Sequence, residues 1–344
     1  MVLPSPLPVS SDRNQSDLRP LASLPGIAYL YPIAEVGHCD CDGTSNKRDS
    51  AVNPVQDAPI KSAIYEPGFA ADLYVLCQKM KTTLTIESLE PVSGEAYPQG
   101  TVRITYTSGF DGEQDWALFL PGDKRENTIV YLHGSFSDAD QIFTRKDVCD
   151  FWLSRIIAGR HALLSVNMRG TSYMSPAATA NMTDLLEYAR TELGCRKFVL
   201  LGGSGGASSA MAYAVVHPEN VHGVIAMGMC DILARLDFAR QSDNPVLQDL
   251  ARCAFSAYGG TPEEKPHLYQ ARSVLAHTDK LTMPIVLTMG EDDALIPVAE
   301  TRKIASAMRG RSNFVYHEVP GGDHDSALWV DVDLDTLQIR DQAG

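Results

Sequence analysis

Phe198-Val199-Leu200-Leu201-Gly202-Gly203-Ser204-Gly205-Gly206-Ala207 is an apolar strand that runs into a G-x-S-x-G turn and then into small residues suited to a helix. In that setting the motif reads as a nucleophile elbow, a strand-to-helix turn sharp enough to hold its serine in a strained backbone conformation. Residues two before and two after the serine must then be small, and Gly202 and Gly206 meet that need. The helix that follows aims its first N–H groups at Ser204, and the N–H of Gly205 is placed to stabilise an oxyanion. A glycine-rich turn after a strand is also a place for phosphate. This one lacks both the Lys-Ser/Thr ending of a P-loop and the G-x-G-x-x-G spacing of a dinucleotide site.

A serine hydroxyl is a poor nucleophile near neutral pH and needs a base, usually histidine, which in turn needs a carboxylate to fix its tautomer. Both types occur after the elbow. Ile285 to Thr288 is a buried-strand pattern ending in the carboxylate-bearing turn Gly290-Glu291-Asp292-Asp293-Ala294-Leu295-Ile296-Pro297. A further strand, Phe314 to Val319, leads into Pro320-Gly321-Gly322-Asp323-His324-Asp325. The order Ser204, Asp293, His324 is one that a nucleophile elbow uses.

Upstream, Leu84 to Glu87, Val102 to Tyr106 and Trp116 to Leu120 are short alternating segments that predict antiparallel edge strands. Continuous apolar runs follow at Ile129 to Leu132, Ala162 to Val166 and Val224 to Met227, with helical patterns at Met182 to Leu193 and Ala207 to Val216. That alternation predicts an α/β protein with a mainly parallel sheet and helices on both faces. Residues 231–283 break the rhythm with helical patterns alone, including Ile232 to Arg240 and Pro245 to Tyr258. They read either as a helical insertion lying over the strand ends as a lid or as ordinary crossover helices.

From about Trp116 onwards the chain resembles the α/β-hydrolase superfamily. In that family the acid commonly lies in a G-x-x-D-x-x-V/I-P turn, matched by Gly290, Asp293, Ile296 and Pro297, so Asp293 is preferred to its neighbour Asp292. His324 matches the family's G-x-x-H-D/S ending. Ile129-Val130-Tyr131-Leu132-His133-Gly134-Ser135-Phe136 resembles the strand-HG-x segment that supplies the second oxyanion donor. Ser135 N–H is the better match and Phe136 the runner-up. His133 reads as loop-shaping and His317 as structural. Arg169, in Met168-Arg169-Gly170-Thr171-Ser172, faces the same rim and is either a substrate-carboxylate clamp or a loop brace. The resemblance therefore implies catalytic Ser204, Asp293 and His324, oxyanion donors Gly205 and Ser135, substrate contacts at Phe136 and Arg169, and no cofactor or metal.

Ala257 to Glu264 and Ala276 to Leu281 narrow the resemblance to the prolyl-oligopeptidase and acylaminoacyl-peptidase branch. The roughly 115 residues ahead of the core are too few for the β-propeller of that branch. Carboxylic ester hydrolysis is the first expectation, acylaminoacyl- or oligopeptidase activity the second, and an inactive hydrolase-fold binding protein the alternative of another class. The substrate expected is a small ester or a short acyl-peptide.

The remaining composition fits. Among 344 residues, 43 Asp and Glu against 29 Lys and Arg give a net charge of −14 with no basic cluster, which disfavours nucleic acid as a partner. No apolar run is long enough to span a bilayer. Seven scattered cysteines and a start without a basic, apolar leader pattern point to reduced thiols and a cytoplasmic location. Residues 1–65 are rich in Pro, Ser, Asp and Asn and predict a poorly ordered or surface-draped extension ahead of a catalytic domain over 66–344. Within the extension, His38-Cys39-Asp40-Cys41 lacks the second ligand pair a structural zinc needs and reads as a polar loop.

Overall fold

The computed structural model describes residues 83–340; the extension expected over 1–65 lies outside them. Nine strands form one sheet: β1 (Thr85–Pro91), β2 (Val102–Thr107), β3 (Gln114–Leu120), β4 (Lys124–Leu132), β5 (His161–Val166), β6 (Lys197–Gly203), β7 (Gly223–Met227), β8 (Ile285–Gly290) and β9 (Phe314–Val319). Their spatial order is β1-β2-β3-β5-β4-β6-β7-β8-β9. The first three strands pair antiparallel, β3 is antiparallel to β5, and every pairing from β5 to β9 is parallel. The three alternating segments upstream thus make the antiparallel flank, and the continuous apolar runs make the parallel centre.

The period of two along each strand sorts the core into two layers. Val130, Leu132, Leu164, Phe198, Leu200, Val224 and Leu287 point to one face. Ile129, Tyr131, Leu163, Val199, Leu201, Ile225 and Val286 point to the other. The first face is covered by α1 (Pro176–Thr191) and α2 (Gly205–Val216), the second by short helical segments between Gln141 and Ala158 and by the chain from Leu328 to Leu337. Helix α1 begins six residues before the periodic run that announced it. Ser175, whose side chain accepts from Ala178 N–H, precedes Pro176 at the first helical position, and a proline there loses no hydrogen bond.

Between β7 and β8 lie α3 (Ile232–Gln241), α4 (Pro245–Tyr258) and α5 (Pro266–Gln270). Their buried side chains form a cluster of their own, distinct from both sheet layers; its one member from elsewhere is Tyr173. Tyr258 and Tyr269 stack within it at 4.2 Å, and Phe238 and Phe255 pack against it. Val274, Leu281 and Met283 return to the sheet's first layer. Residues 232–270, called the cap segment, thus pack on an apolar cluster of their own, apart from both sheet layers.

Chain order and spatial order part company at β4. From β4 the chain moves to β5 on one side, then crosses to β6 on the other. Loops leaving the carboxyl ends of β4 and β6 diverge there, at the switch point where such sheets usually form a ligand crevice. His133-Gly134-Ser135 follows β4 and Ser204 follows β6.

Candidate active site

Ser204 stands between β6 and α2 with φ 54° and ψ −118°, a backbone conformation that L side chains rarely adopt. Such a conformation costs roughly 1–3 kcal/mol and persists only where neighbours over-determine it. Here Ser204 N–H donates to Met227 O at 2.8 Å, and Ser204 O accepts from Ser208 N–H at 3.1 Å. Gly206 packs directly on the main chain of Leu132 and His133, where a Cβ would collide with both carbonyl oxygens. The elbow is therefore pressed between the ends of β4 and β7.

His324 lies in the loop after β9, and its Nδ1 is 2.7 Å from Asp293 Oδ2. The Asp293 carboxylate is fully buried, and its other oxygen accepts from Leu295 N–H at 2.8 Å and Ile296 N–H at 2.9 Å. Those two bonds fix the carboxylate plane while the first holds the imidazole. Asp292 is exposed and uses its own N–H on Gly322 O, so the bend of the loop turns Asp293 inward and Asp292 out. Gly228 has φ 63°, and a Cβ there would lie 3.4 Å from His324 Cε1. The pair Met227-Gly228 thus touches Ser204 through one residue and His324 through the next. No hydrogen bond joins Ser204 Oγ to His324 among the described residues; such contacts commonly tighten only around bound substrate.

The loop after β4 closes the other side. Ser135 rests against Gly205, where a Cβ would lie 3.0 Å from Ser135 N and collide with Ser135 Oγ. The backbone of Ser135 therefore lies against Gly205, the residue after Ser204. Phe136, the runner-up donor, has φ 61° and gives its N–H to Thr171 Oγ1 at 2.7 Å, so that group is already spent. Its ring stays solvent-exposed at the rim. Gly134 N–H donates to Gln141 Oε1 at 2.9 Å. His133 is buried, with Nδ1 2.8 Å from Gly134 O and Nε2 2.7 Å from Asn167 O, so it shapes the loop.

Arg169 is paired with carboxylates. Its guanidinium reaches Asp111 at 2.6 Å and Asp115 at 3.7 Å, and its own N–H donates to Asp115. Asp115 also accepts from Tyr106 O–H and Asn167 Nδ2. Two carboxylates thus lie beside the cation and tie the loop after β5 to the loop between β2 and β3.

Tyr173 lies in no motif that the sequence offers. It is buried, and its phenol lies 3.0 Å from Ser135 Oγ. Thr171 and Gln141, which hold Phe136 and Gly134, were likewise not singled out. Tyr173 and Thr171 act over gaps that local pattern does not encode, 38 residues to Ser135 and 35 to Phe136.

Residues 127–258 match the family described as alpha/beta hydrolase fold. The Staphylococcus aureus fluorophosphonate-binding serine hydrolase FphF in its substrate-bound structure superposes with a TM-score of 0.51 at 16% identity, over 68% of this chain and 94% of that one. A puromycin hydrolase gives 0.51 at 17% identity, over 68% of this chain but only 37% of that longer one. No curated protein sequence matches the chain. Sheet order, elbow and these likenesses define an α/β-hydrolase fold.

Proposed function

We propose that this protein is a serine hydrolase that cleaves small carboxylic esters through Ser204, His324 and Asp293. The observation that carries the reading is the strained Ser204 at the crevice, with an imidazole fixed by a buried carboxylate against the same strand end. His324 takes the Ser204 proton as Oγ attacks the carbonyl, and the resulting oxyanion is held by the N–H groups of Gly205 and Ser135. Collapse of the intermediate breaks the bond to the alcohol, which leaves with the proton from His324, and the acyl group stays on Ser204. Water then repeats the sequence: His324 takes a proton from it, and the carboxylic acid departs as Ser204 recovers its hydrogen.

The charges around the crevice support an uncharged ester over a peptide terminus. Arg169 and Asp115 are committed to each other and to neighbours, and Asp231 accepts from Leu233 N–H, Ser273 O–H and Leu275 N–H. The test is kcat/KM on matched p-nitrophenyl esters and aminoacyl or acyl-peptide p-nitroanilides, with Ser204→Ala alongside. Ester turnover lost in the variant, with anilides untouched, is the expected result; comparable anilide cleavage replaces the ester assignment with a peptidase one, and silence on both overturns hydrolysis.

A further inference from the structure

The loop from Gly134 to Phe136 does not hold itself. Phe136 sits at positive φ, and a conformation of that kind has to be imposed from outside. Besides Gln141, which takes Gly134 N–H, the outside is the loop from Asn167 to Met174, three residues of which bind the first loop. Asn167 O meets His133 Nε2 at 2.7 Å, Thr171 Oγ1 takes Phe136 N–H at 2.7 Å, and Tyr173 OH meets Ser135 Oγ at 3.0 Å. This second loop is itself contorted, with Met168, Arg169, Tyr173 and Met174 all at positive φ. What pins its far end is the chain between β7 and β8. Tyr258 O–H donates to Tyr173 O at 2.7 Å, and Arg272 Nε donates to Met174 O at 2.6 Å. The Tyr173 ring is also the one residue outside the cap that enters the cap's apolar cluster.

We propose that Tyr173 is a positioning residue of the oxyanion pocket: it carries the placement of the cap to Ser135, and so sets Ser135 N–H against Gly205. The proposal rests on the assignment of Ser204 and these two N–H groups given above. A donor aimed at developing charge acts on the transition state more than on the bound ester. Loosening it therefore lowers kcat while KM stays near its original value. The phenol makes no contact with substrate in this account and works through Ser135 alone.

The experiment is a double-mutant cycle on the full chain with a p-nitrophenyl ester, comparing wild type, Tyr173→Phe, Ser135→Ala and the pair. Tyr173→Phe removes one oxygen and keeps the ring in the cap cluster. The expected result is a fall in kcat of about tenfold, the upper end for one neutral hydrogen bond, with KM within about twofold. Ser135→Ala, which removes the same bond from its other end and keeps the N–H, falls by a similar factor, and the pair falls no further than either alone. Tyr258→Phe gives a smaller loss in kcat in the same direction. The proposal is overturned by kcat within about twofold of wild type in Tyr173→Phe, by an effect on KM alone, or by fully additive losses in the pair. If Tyr173→Phe does not fold, Ser135→Ala and Tyr258→Phe decide it by the same criteria. Failure of the underlying assignment looks different: wild type would then be inactive, or Ser204→Ala as active as wild type.

Discussion

At the scale of single residues, the choice between two adjacent aspartates is the sharpest consequence of the geometry. Asp293 is buried, bonded to His324 and fixed by two backbone N–H groups; Asp292 is exposed. Asp293→Asn should lower kcat/KM by roughly ten-thousandfold, because an amide in that place favours the wrong imidazole tautomer. Asp292→Asn should leave it within about twofold, and steady-state kinetics on the two variants checks both. Cys230 belongs to the same neighbourhood. It is fully buried, and burial pushes its thiol up to about 12, so it stays protonated at neutral pH and does not compete as a nucleophile. Native protein treated with iodoacetamide at pH 8 should remain unmodified at Cys230, and unfolded protein should be alkylated there, as peptide mass spectrometry will read.

At the scale of elements, most of the sheet was legible because strand signals are local. Composition and period-two alternation lie within six or seven residues, and so does the glycine spacing of the elbow. Gly206 shows the physical cause: any Cβ there meets the carbonyl oxygens of Leu132 and His133. Gly206→Ala should therefore destabilise the fold by about 1–3 kcal/mol, the range for overpacking a tight core, measurable as a lower midpoint in urea unfolding. Legibility ended where partners are far apart in sequence. Whether the helices after β7 cap the site or cover the sheet depends on which cluster their apolar faces join. The link from Tyr258 to Tyr173 spans 85 residues. The hydroxyl of Thr171 that takes Phe136 N–H lies 35 residues away, and no periodicity announces it.

At the scale of the whole molecule, acidity governs how stability responds to pH. The chain carries a net charge of −14, and several surface carboxylates sit beside cations. Hydrogen bonds from Arg302, Arg340 and Lys124 hold Glu318, Asp333 and Asp335 below the ordinary carboxylate range. A carboxylate whose folded pKa is depressed stabilises the fold fully above its unfolded value and loses that contribution as pH falls through the folded one. Melting temperature should thus be nearly flat from about pH 5 to 8 and decline below about pH 4. Because these pairs face solvent, each contributes little and added salt should blunt the effect; calorimetry across pH at two ionic strengths checks the sign. Among the described residues no helix is long and apolar enough to cross a membrane.

If Ser204 is an activated nucleophile, as proposed, a fluorophosphonate will mark it, and intact-mass analysis reads the mark. Attack by Ser204 Oγ forms the oxygen–phosphorus bond, expels fluoride and leaves the serine proton with His324. The expected result is a single phosphonyl adduct on wild-type protein, mapped to Ser204 and missing from Ser204→Ala. An unlabelled wild type, or a Ser204→Ala protein labelled to the same extent, would contradict it.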